Sequence, residues 1–240
     1  MAEIDTRSPY YPFLQPQSNY YDLSDTITLP KKIVDYLIDA PKGAYVPPDD
    51  NTYPRCRLWK YLYYDGENPL DRPLPTIEEK MSVLFDPDLP QTPPTEKGYR
   101  LFPQIFIKES QERAQTRLYV YLGRTIPNDD EMKLSLAVTF RVWTHYTYEL
   151  NTHTDVMSRA FGIEQALIEA FHGVNMAVVG TFAFSRYAHP DCGSEVLFDG
   201  EANVGRQLTM ALQIATTARQ TIETPWSAPT ENGGTIRWGG

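Results

Sequence analysis

"KLSLAVTFRVWTHYTY", residues 133–148, alternates apolar and polar side chains along most of its length. Successive side chains of a strand point to opposite faces, so a period of two predicts a β-strand with one buried face. The apolar row is Leu134, Leu136, Val138, Phe140 and Val142. The opposite row is Thr139, Arg141, Trp143, His145 and Thr147, and we expect it to stand away from the main core.

Similar patterns predict more strands around this one. They are "RLFPQIFIK" (100–108), "QTRLYVYL" (115–122), "VVGTFAFSRY" (178–187) and "VGRQLTMALQIAT" (204–216). The charged connection "ESQERAQ" (109–115) suits the tip of a hairpin between the first two. One-sided alternation is typical of a sheet covered on one face only. The predicted fold class is therefore α+β, an antiparallel or mixed β-sheet covered on one face by a long helix.

The covering helix is predicted from "HTDVMSRAFGIEQALIEAFHG", residues 153–173. Thr154 or Asp155 can cap its start, and Gly173 can end it. Its apolar stripe is Val156, Ala160, Ile163, Leu167 and Phe171. Glu164 falls within the apolar sector. A carboxylate at the edge of the stripe, or one paired with an arginine, explains it better than a catalytic role.

The chain before residue 100 has a different composition, because it holds 15 of the 20 prolines. Proline fixes φ and removes a backbone donor, so residues 1–28 are expected to form an extended N-terminal arm. The arm either orders on another surface or folds back on its own domain. Residues 29–218 are expected to form one α+β domain with a Pro/Tyr-rich insertion at about 41–99, and residues 219–240 a C-terminal arm. The aromatic arm residues are Tyr10, Tyr11, Phe13, Tyr20 and Tyr21.

Three short elements are predicted between the arm and the sheet. "LPKKIVDYLIDAP" (29–41) reads as a helix, and "TIEEKMSVLF" (76–85) as a helix with a capping box of Thr76 and Glu79. "RCRLWKYLYY" (55–64) reads as a strand with Trp59, Tyr61 and Tyr63 on one parity.

Charge and composition exclude several classes of protein. The formal net charge of −9 argues against a general affinity for the nucleic-acid backbone. The sequence contains no run of about 18 apolar residues, so no membrane span is predicted. The N-terminal sequence has no features of a signal peptide. Two cysteines, Cys56 and Cys192, are too few for a disulfide framework and fit synthesis in a reducing cytoplasm.

Enzyme motifs are largely missing from the sequence. It has no phosphate-binding loop, no dinucleotide fingerprint, no nucleophile elbow and no zinc motif. His189, Asp191 and Cys192 lie within four positions, and a loop histidine beside an unreactive cysteine explains them better than a metal or nucleophile site. No catalytic, cofactor-binding or metal-binding residue is therefore assigned, and the chain is not expected to be an enzyme.

The row containing Arg141, Trp143 and His145 is the most informative candidate for a functional surface. Aromatic side chains and arginine are enriched at the centres of protein interfaces. Two other interpretations stay open: loops from residues 65–99 could cover this face, or it could form the wall of a ligand pocket.

From residue 100 to about 218, the order of elements resembles the tail-terminator or tail-completion proteins found in the neck of tailed bacteriophages. "RLFPQIFIK", "LSLAVTFRVWTHY", "DVMSRAFGIEQALIEAF", "GTFAFSRY" and "GRQLTMALQIA" carry the likeness. "KKIVDYLID" fits the opening helix of that family, whereas the proline- and tyrosine-rich insertion and both arms depart from it.

The resemblance implies a structural virion protein that forms a ring, often sixfold, and joins the tail tube to head-connector proteins. It implies assembly in the bacterial cytoplasm, no cofactor and no membrane contact, and it allows non-specific passage of DNA through the ring. The expected contact residues are Arg141, Trp143 and His145 together with the arm aromatics. The rival hypotheses are a soluble enzyme or ligand-binding domain that uses the Arg141/Trp143/His145 face, and a monomeric adaptor that docks by its arm.

Overall fold

The computed structural model describes these residues of the chain: 28–38, 49–66, 68–85, 98–104, 114–127, 133–150, 158–176, 180–200, 202–215, 227–229 and 235–237. The helices are α1 (Leu29–Ile38), α2 (Pro54–Tyr63), a 3-10 turn (Pro69–Asp71), α3 (Ile77–Ser82), α4 (Tyr146–Leu150) and α5 (Arg159–Phe171). Within these residues, no helix combines the length and the apolar character needed to cross a membrane.

The strands of the main sheet are β1 (Leu101–Phe102), β2 (Arg117–Pro127), β3 (Lys133–His145), β4 (Asn175–Met176), β5 (Gly180–Ala183), β6 (Gly193–Asp199) and β7 (Asn203–Ala215). Their order is β1-β2-β3-β7, and β7 then pairs on its far side with β6 along residues 203–209 and with β5 along 211–213. β4 lies outside β5. Among the described strands, β1–β2 is the one parallel pair, so the sheet is mixed and the fold class is α+β. β8 (Ser227–Pro229) and β9 (Thr235–Arg237) form a separate two-stranded sheet.

The long pair β3–β7 forms the centre of the sheet and confirms the predicted alternation. Val138 lies opposite Met210, and Phe140 lies opposite Leu208. All four side chains are buried in the main core. The apolar row faces the helices because burying a continuous apolar surface stabilises the fold by about 25 cal/mol per Å² removed from water.

Several short helices cover this face, so the single long helix that was predicted is not found among the described residues. α1 packs on β2, whereas α5 packs on β3 and β7, and α2 packs along α5. α5 has only 13 described residues. The core is shared because apolar side chains of α1 and α2 join those of α5 in one cluster.

α5 begins after Ser158, whose Oγ accepts a hydrogen bond from Phe161 N at 3.1 Å. The predicted caps Thr154 and Asp155 lie outside the described residues, as does Val156. Gly173 follows the last turn with φ of +79°, as predicted for a glycine that ends a helix. The remaining residues of the predicted stripe are fully buried: Ala160, Ile163, Leu167 and Phe171.

The prediction of a strand at residues 55–64 is wrong, because this stretch is helix α2. Pro54 occupies the first helical position, where its missing N–H costs nothing. The helix is buried on nearly every side, including Trp59, Tyr61 and Lys60. The buried charge of Lys60 is neutralised by an ion pair between its Nζ and Asp49 at 2.7 Å. Lys60 Nζ also donates to Leu70 O at 3.1 Å.

α1 and α3 lie where the sequence predicts helices. The capping box of α3 is confirmed, because Thr76 Oγ1 accepts from Glu79 N at 3.2 Å while Glu79 Oε2 accepts from Thr76 N at 2.8 Å.

The predicted hairpin between residues 100–108 and 115–122 is also wrong for the described residues. β1 runs parallel to β2, with Leu101 opposite Leu118 and Phe102 opposite Tyr119. Alternation assigns faces but carries no information on strand direction. The direction follows from the preceding chain, since Arg100 N and Leu101 N both donate to Val83 O and hold β1 against the end of α3.

Gly205 allows the Trp143 ring to lie on the neighbouring strand. A Cβ at residue 205 would approach both the Trp143 ring and Val142 O to 2.5 Å. We expect Gly205→Ala to lower the free energy of unfolding by about 2 kcal/mol, because a rigid strand cannot relieve the overlap. Gly193→Ala on the adjacent strand is the control, since its nearest neighbour is Arg186 Nη2 at 4.0 Å. Urea denaturation of both variants checks this, and equal midpoints would contradict it.

Candidate interaction surface

The second face of the sheet, opposite the helices, divides into three regions along the strands. Its residues include Tyr119 and Tyr121 of β2, Thr139, Arg141 and Trp143 of β3, and Gln207 and Thr209 of β7. An aromatic cluster lies at one end, a polar network in the middle and the loop 184–192 at the other end.

Trp143 belongs to the aromatic cluster and is only 9 % exposed. It joins Phe102 and Tyr119, which stack at 4.7 Å between ring centroids. Phe85 and Tyr99 pack against this cluster. Part of the segment 65–99 therefore covers this end of the face, in agreement with one of the two interpretations left open by the sequence.

Arg141 lies in the middle of the second face and is held by the neighbouring strands. Its Nε and Nη2 donate to Gln207 Oε1 at 3.0 and 2.5 Å, and its guanidinium lies 5.4 Å from the Tyr121 ring centroid. Tyr121 OH donates to the same oxygen at 3.0 Å, and Gln207 Nε2 donates to Glu195 at 2.7 Å. Burial raises the pKa of Tyr121, with Arg141 opposing the rise. The network links four strands and stays half open to solvent.

His145 lies at the end of β3 and contacts α4 instead of the polar network. Its ring centroid lies 4.7 Å from that of Tyr146, and its Nδ1 accepts from Thr147 N at 3.4 Å. Thr147 itself is in α4, so its predicted place on the strand face is wrong. Tyr146 N still donates to Ala202 O at 2.9 Å, and the chain then continues as helix α4. Arg141, Trp143 and His145 thus have three different environments.

A polar pocket of about 230 Å³ opens beside the network. It is lined by Arg186, Pro190, Asp191, Cys192, Gly193, Ser194, Glu195, Gln207 and Thr209. None of Arg141, Trp143 and His145 lines it. Burial raises the pKa of the Cys192 thiol, which therefore stays protonated and weakly nucleophilic.

His189 has a structural role in the loop 184–192. Its Nδ1 accepts from Asp191 N at 3.1 Å, so its Nε2 carries the proton and donates to Arg124 O at 3.1 Å. Ser135 Oγ donates to Ala188 O at 2.5 Å. These bonds fix the loop across β3 and β2, where it covers the far end of the second face.

Glu164 is paired with an arginine, which is one of the two structural explanations that the sequence left open. Its carboxylate accepts from Arg206 Nε and, at 2.6 Å, from Ser194 Oγ. Arg206 also lies 5.1 Å from the Phe161 ring centroid. The ion pair therefore connects α5 to β7 and β6 and explains a carboxylate in the apolar sector of the helix.

The sequence interpretation missed the edge strand β6. Val196 and Phe198 project from the face that carries the helices and are 49 % and 75 % exposed. The alternation of Glu195, Val196, Leu197 and Phe198 was a usable signal, though a short one. Within the described part of the chain, β6 forms the outer strand beside the first half of β7.

The arm aromatics Tyr10, Tyr11, Phe13, Tyr20 and Tyr21 lie outside the described residues, so their predicted contacts stay predictions. Cys56 and Cys192 are free, buried thiols. In the described ranges, no group of three or more His, Cys, Asp and Glu side chains is arranged to hold a metal ion.

The described residues form an α+β protein with helices on one face of the sheet and an edge strand, β6, that pairs with β7 on one side. The YomW family model matches residues 56–211, more than half of the chain. The chain therefore belongs to the YomW family, a family of phage-type proteins. The match runs from α2 into β7 and so includes most of the main sheet and its helices. No curated protein and no solved structure matches the chain.

Proposed function

We propose that this protein is a structural component of a phage particle, a ring-forming tail terminator in the neck. Membership of a phage-type family is the observation that carries the proposal. In this role the chain assembles with copies of itself, in a hexamer by family resemblance, and joins the tail tube to head-connector proteins. DNA passes through the ring without specific recognition, and the role needs no catalysis.

The described surfaces support assembly through sheet edges more than through the flat second face. Trp143 and the far end of that face are covered by the chain's own residues. β6 in contrast exposes Val196 and Phe198. A ring requires heterologous contacts between two different patches of each subunit, and an open strand edge can provide one of them.

Two measurements test the proposal. Electron microscopy of the purified full chain is expected to show closed rings, and light scattering a mass several times that of one chain. In the phage that carries the gene, interrupting the gene is expected to leave unjoined heads and tails in the lysate. A strict monomer in solution together with normal particles from the interrupted phage would refute the proposal.

Deleting residues 1–24 is expected to weaken assembly while the subunit stays folded. The arm carries five aromatic residues that can bury area on a neighbouring copy, and α1, the first described helix, begins only at Leu29. Size-exclusion chromatography with light scattering measures the oligomer, and circular dichroism checks the fold. An unchanged oligomer would show that the arm has no role in assembly.

The polar pocket favours a second candidate function, the binding of a small polar ligand. Arg186, Asp191 and Glu195 offer both signs of charge, and Gln207 connects the pocket to Arg141. This hypothesis predicts that a zwitterionic ligand such as a free amino acid raises the melting temperature of the wild type and leaves a Glu195→Ala variant unaffected. An unchanged melting temperature with a panel of amino acids and short peptides would rule out this hypothesis.

A further inference from the structure

The outer edge of β6 is suited to accept another strand. Among the described residues, β6 pairs only with β7, and no other backbone hydrogen bond reaches Gly193–Asp199. Exposed edges are usually protected by proline, lysine or a bulge. This strand contains neither proline nor lysine, and its register with β7 is unbroken.

Side chains along this edge differ between the two faces of the sheet. Val196 and Phe198 are exposed on the face that carries the helices. Val196 lies opposite Arg206 of β7, and the Arg206 guanidinium lies 5.1 Å from the Phe161 ring centroid. Glu195 and Asp199 share the other parity, on the second face. An added strand would therefore meet apolar groups on one side and acidic groups on the other.

The hairpin of β8 and β9 is the complementary incomplete element in the same chain. Its two strands pair with each other and, in the described part of the chain, with no strand of the main sheet. A lone two-stranded hairpin is marginally stable in water and needs a further surface. β8 contains Pro229, which cannot donate to a new ladder, so β9 is the strand that is able to extend a sheet.

We propose that β9 of one copy adds to the edge of β6 in a second copy, an inference that rests on the proposed ring-forming function. The β9 sequence Thr235–Ile236–Arg237 alternates an apolar residue with a cationic one. Side chains opposite each other in paired strands share a face. A register that places Ile236 beside Val196 or Phe198 also places Arg237 on the face of Glu195 and Asp199.

A second copy is the acceptor because the proposed ring requires contacts between copies. β7 ends at Ala215, whereas the middle of β6 lies opposite Arg206, which is about 30 Å back along the strand. Residues 216–226 span at most about 40 Å when fully extended, so their length also allows β9 to reach β6 of its own chain. Cross-linking between copies separates the two arrangements.

Cysteine cross-linking between differently tagged copies tests this arrangement. Chains carrying Val196→Cys are mixed with chains carrying Ile236→Cys, assembled and oxidised mildly. The native cysteines are buried, so they contribute little background. The matched control replaces Val196→Cys with Met81→Cys, an exposed position on α3 near the opposite edge of the sheet. Disulfide-linked heterodimers are expected from the first mixture and not from the control.

Charge reversal provides an independent measurement on the same contact. Arg237→Glu is expected to weaken association at least tenfold, whereas Arg72→Glu, at an exposed position just after the 3-10 turn, leaves it unchanged. A full chain that forms rings without the heterodimer, and with normal association of Arg237→Glu, would overturn this inference and leave the proposed function standing. A full chain that is monomeric at every concentration would overturn both. Cross-links found only within one chain carrying both cysteines would overturn the assignment to a second copy.

Discussion

Replacing Asp65 with asparagine is expected to lower the free energy of unfolding by about 3 kcal/mol, because it leaves the buried Arg100 without its counter-charge. Asp65 Oδ1 accepts from Arg100 Nη1 at 2.9 Å, and Oδ2 accepts from Arg100 Nη2. Arg100 is 1 % exposed. About a third of the Asp65 side chain meets solvent, so screening keeps the effect at the lower end of the range for buried pairs.

The charge of the same carboxylate also acts on two more buried arginines. Burial lowers the pKa of Arg117 and of Arg159, and the charge of Asp65 opposes the shift in both. Arg159 donates to Tyr64 O at 2.7 Å and to Gly66 O at 2.5 Å. These carbonyls follow the C-terminus of α2, where a cation is favourable. The cluster therefore fixes the end of α2 against the start of α5.

Urea denaturation measures the change, with Glu78→Gln at an exposed position as the control. The control is expected to stay within about 0.5 kcal/mol of the wild type. The double variant Asp65→Asn/Arg100→Met should recover part of the loss, because it removes the unpaired cation as well. An Asp65→Asn variant as stable as the control would mean that water reaches and solvates the arginines.

The strands β3 and β7 were predictable because each has one face in the core and the other partly polar. Period two is then visible in the sequence, and Phe140 and Leu208 fall opposite each other as the pattern requires. α5 was predictable for the same reason, since its stripe from Ala160 to Phe171 recurs at helical spacing. The direction of β1 and the length of the covering helix were not predictable, because they depend on distant contacts. One such contact is the hydrogen bond from Arg100 N to Val83 O, which holds β1.

α2 could not be recognised from its apolar pattern, because it is buried on nearly every side. A helix without a polar face shows no period of 3.6, and Trp59, Tyr61 and Tyr63 happen to fit a period of two. Only Pro54 at the first position indicated a helix.

The candidate surface was predicted only in part. The sequence placed Arg141 and Trp143 on one face correctly, but the contacts that cover Trp143 come from Phe85 and Tyr99, distant in sequence. Alternation identifies a face and cannot tell whether the same chain covers it. The exposed edge of β6 was missed because an alternation confined to four of its seven residues gives a weak signal.

Trp59→Ala is expected to cause the largest loss of stability, about 4 kcal/mol, because it removes the largest fully buried side chain. Trp59 joins three helices: its indole N–H donates to Leu37 O of α1 at 2.6 Å, and Lys80 Nζ of α3 lies 5.4 Å from its ring centroid. Small domains are stable by only about 5 to 15 kcal/mol, so the variant loses a large fraction of the total.

Two further variants separate the causes of that loss. Trp59→Phe retains most of the volume but leaves Leu37 O without its donor, so we expect a smaller loss of about 1 to 2 kcal/mol. Tyr187→Ala removes a fully exposed aromatic ring and should change stability by less than about 0.5 kcal/mol. At a constant m-value, the urea midpoint is expected to be highest for Tyr187→Ala, lower for Trp59→Phe and lowest for Trp59→Ala. If Trp59→Ala unfolded at the same urea concentration as Tyr187→Ala, α2 would have to lie on the surface, and the helix layer over β2 and β3 would need a different core.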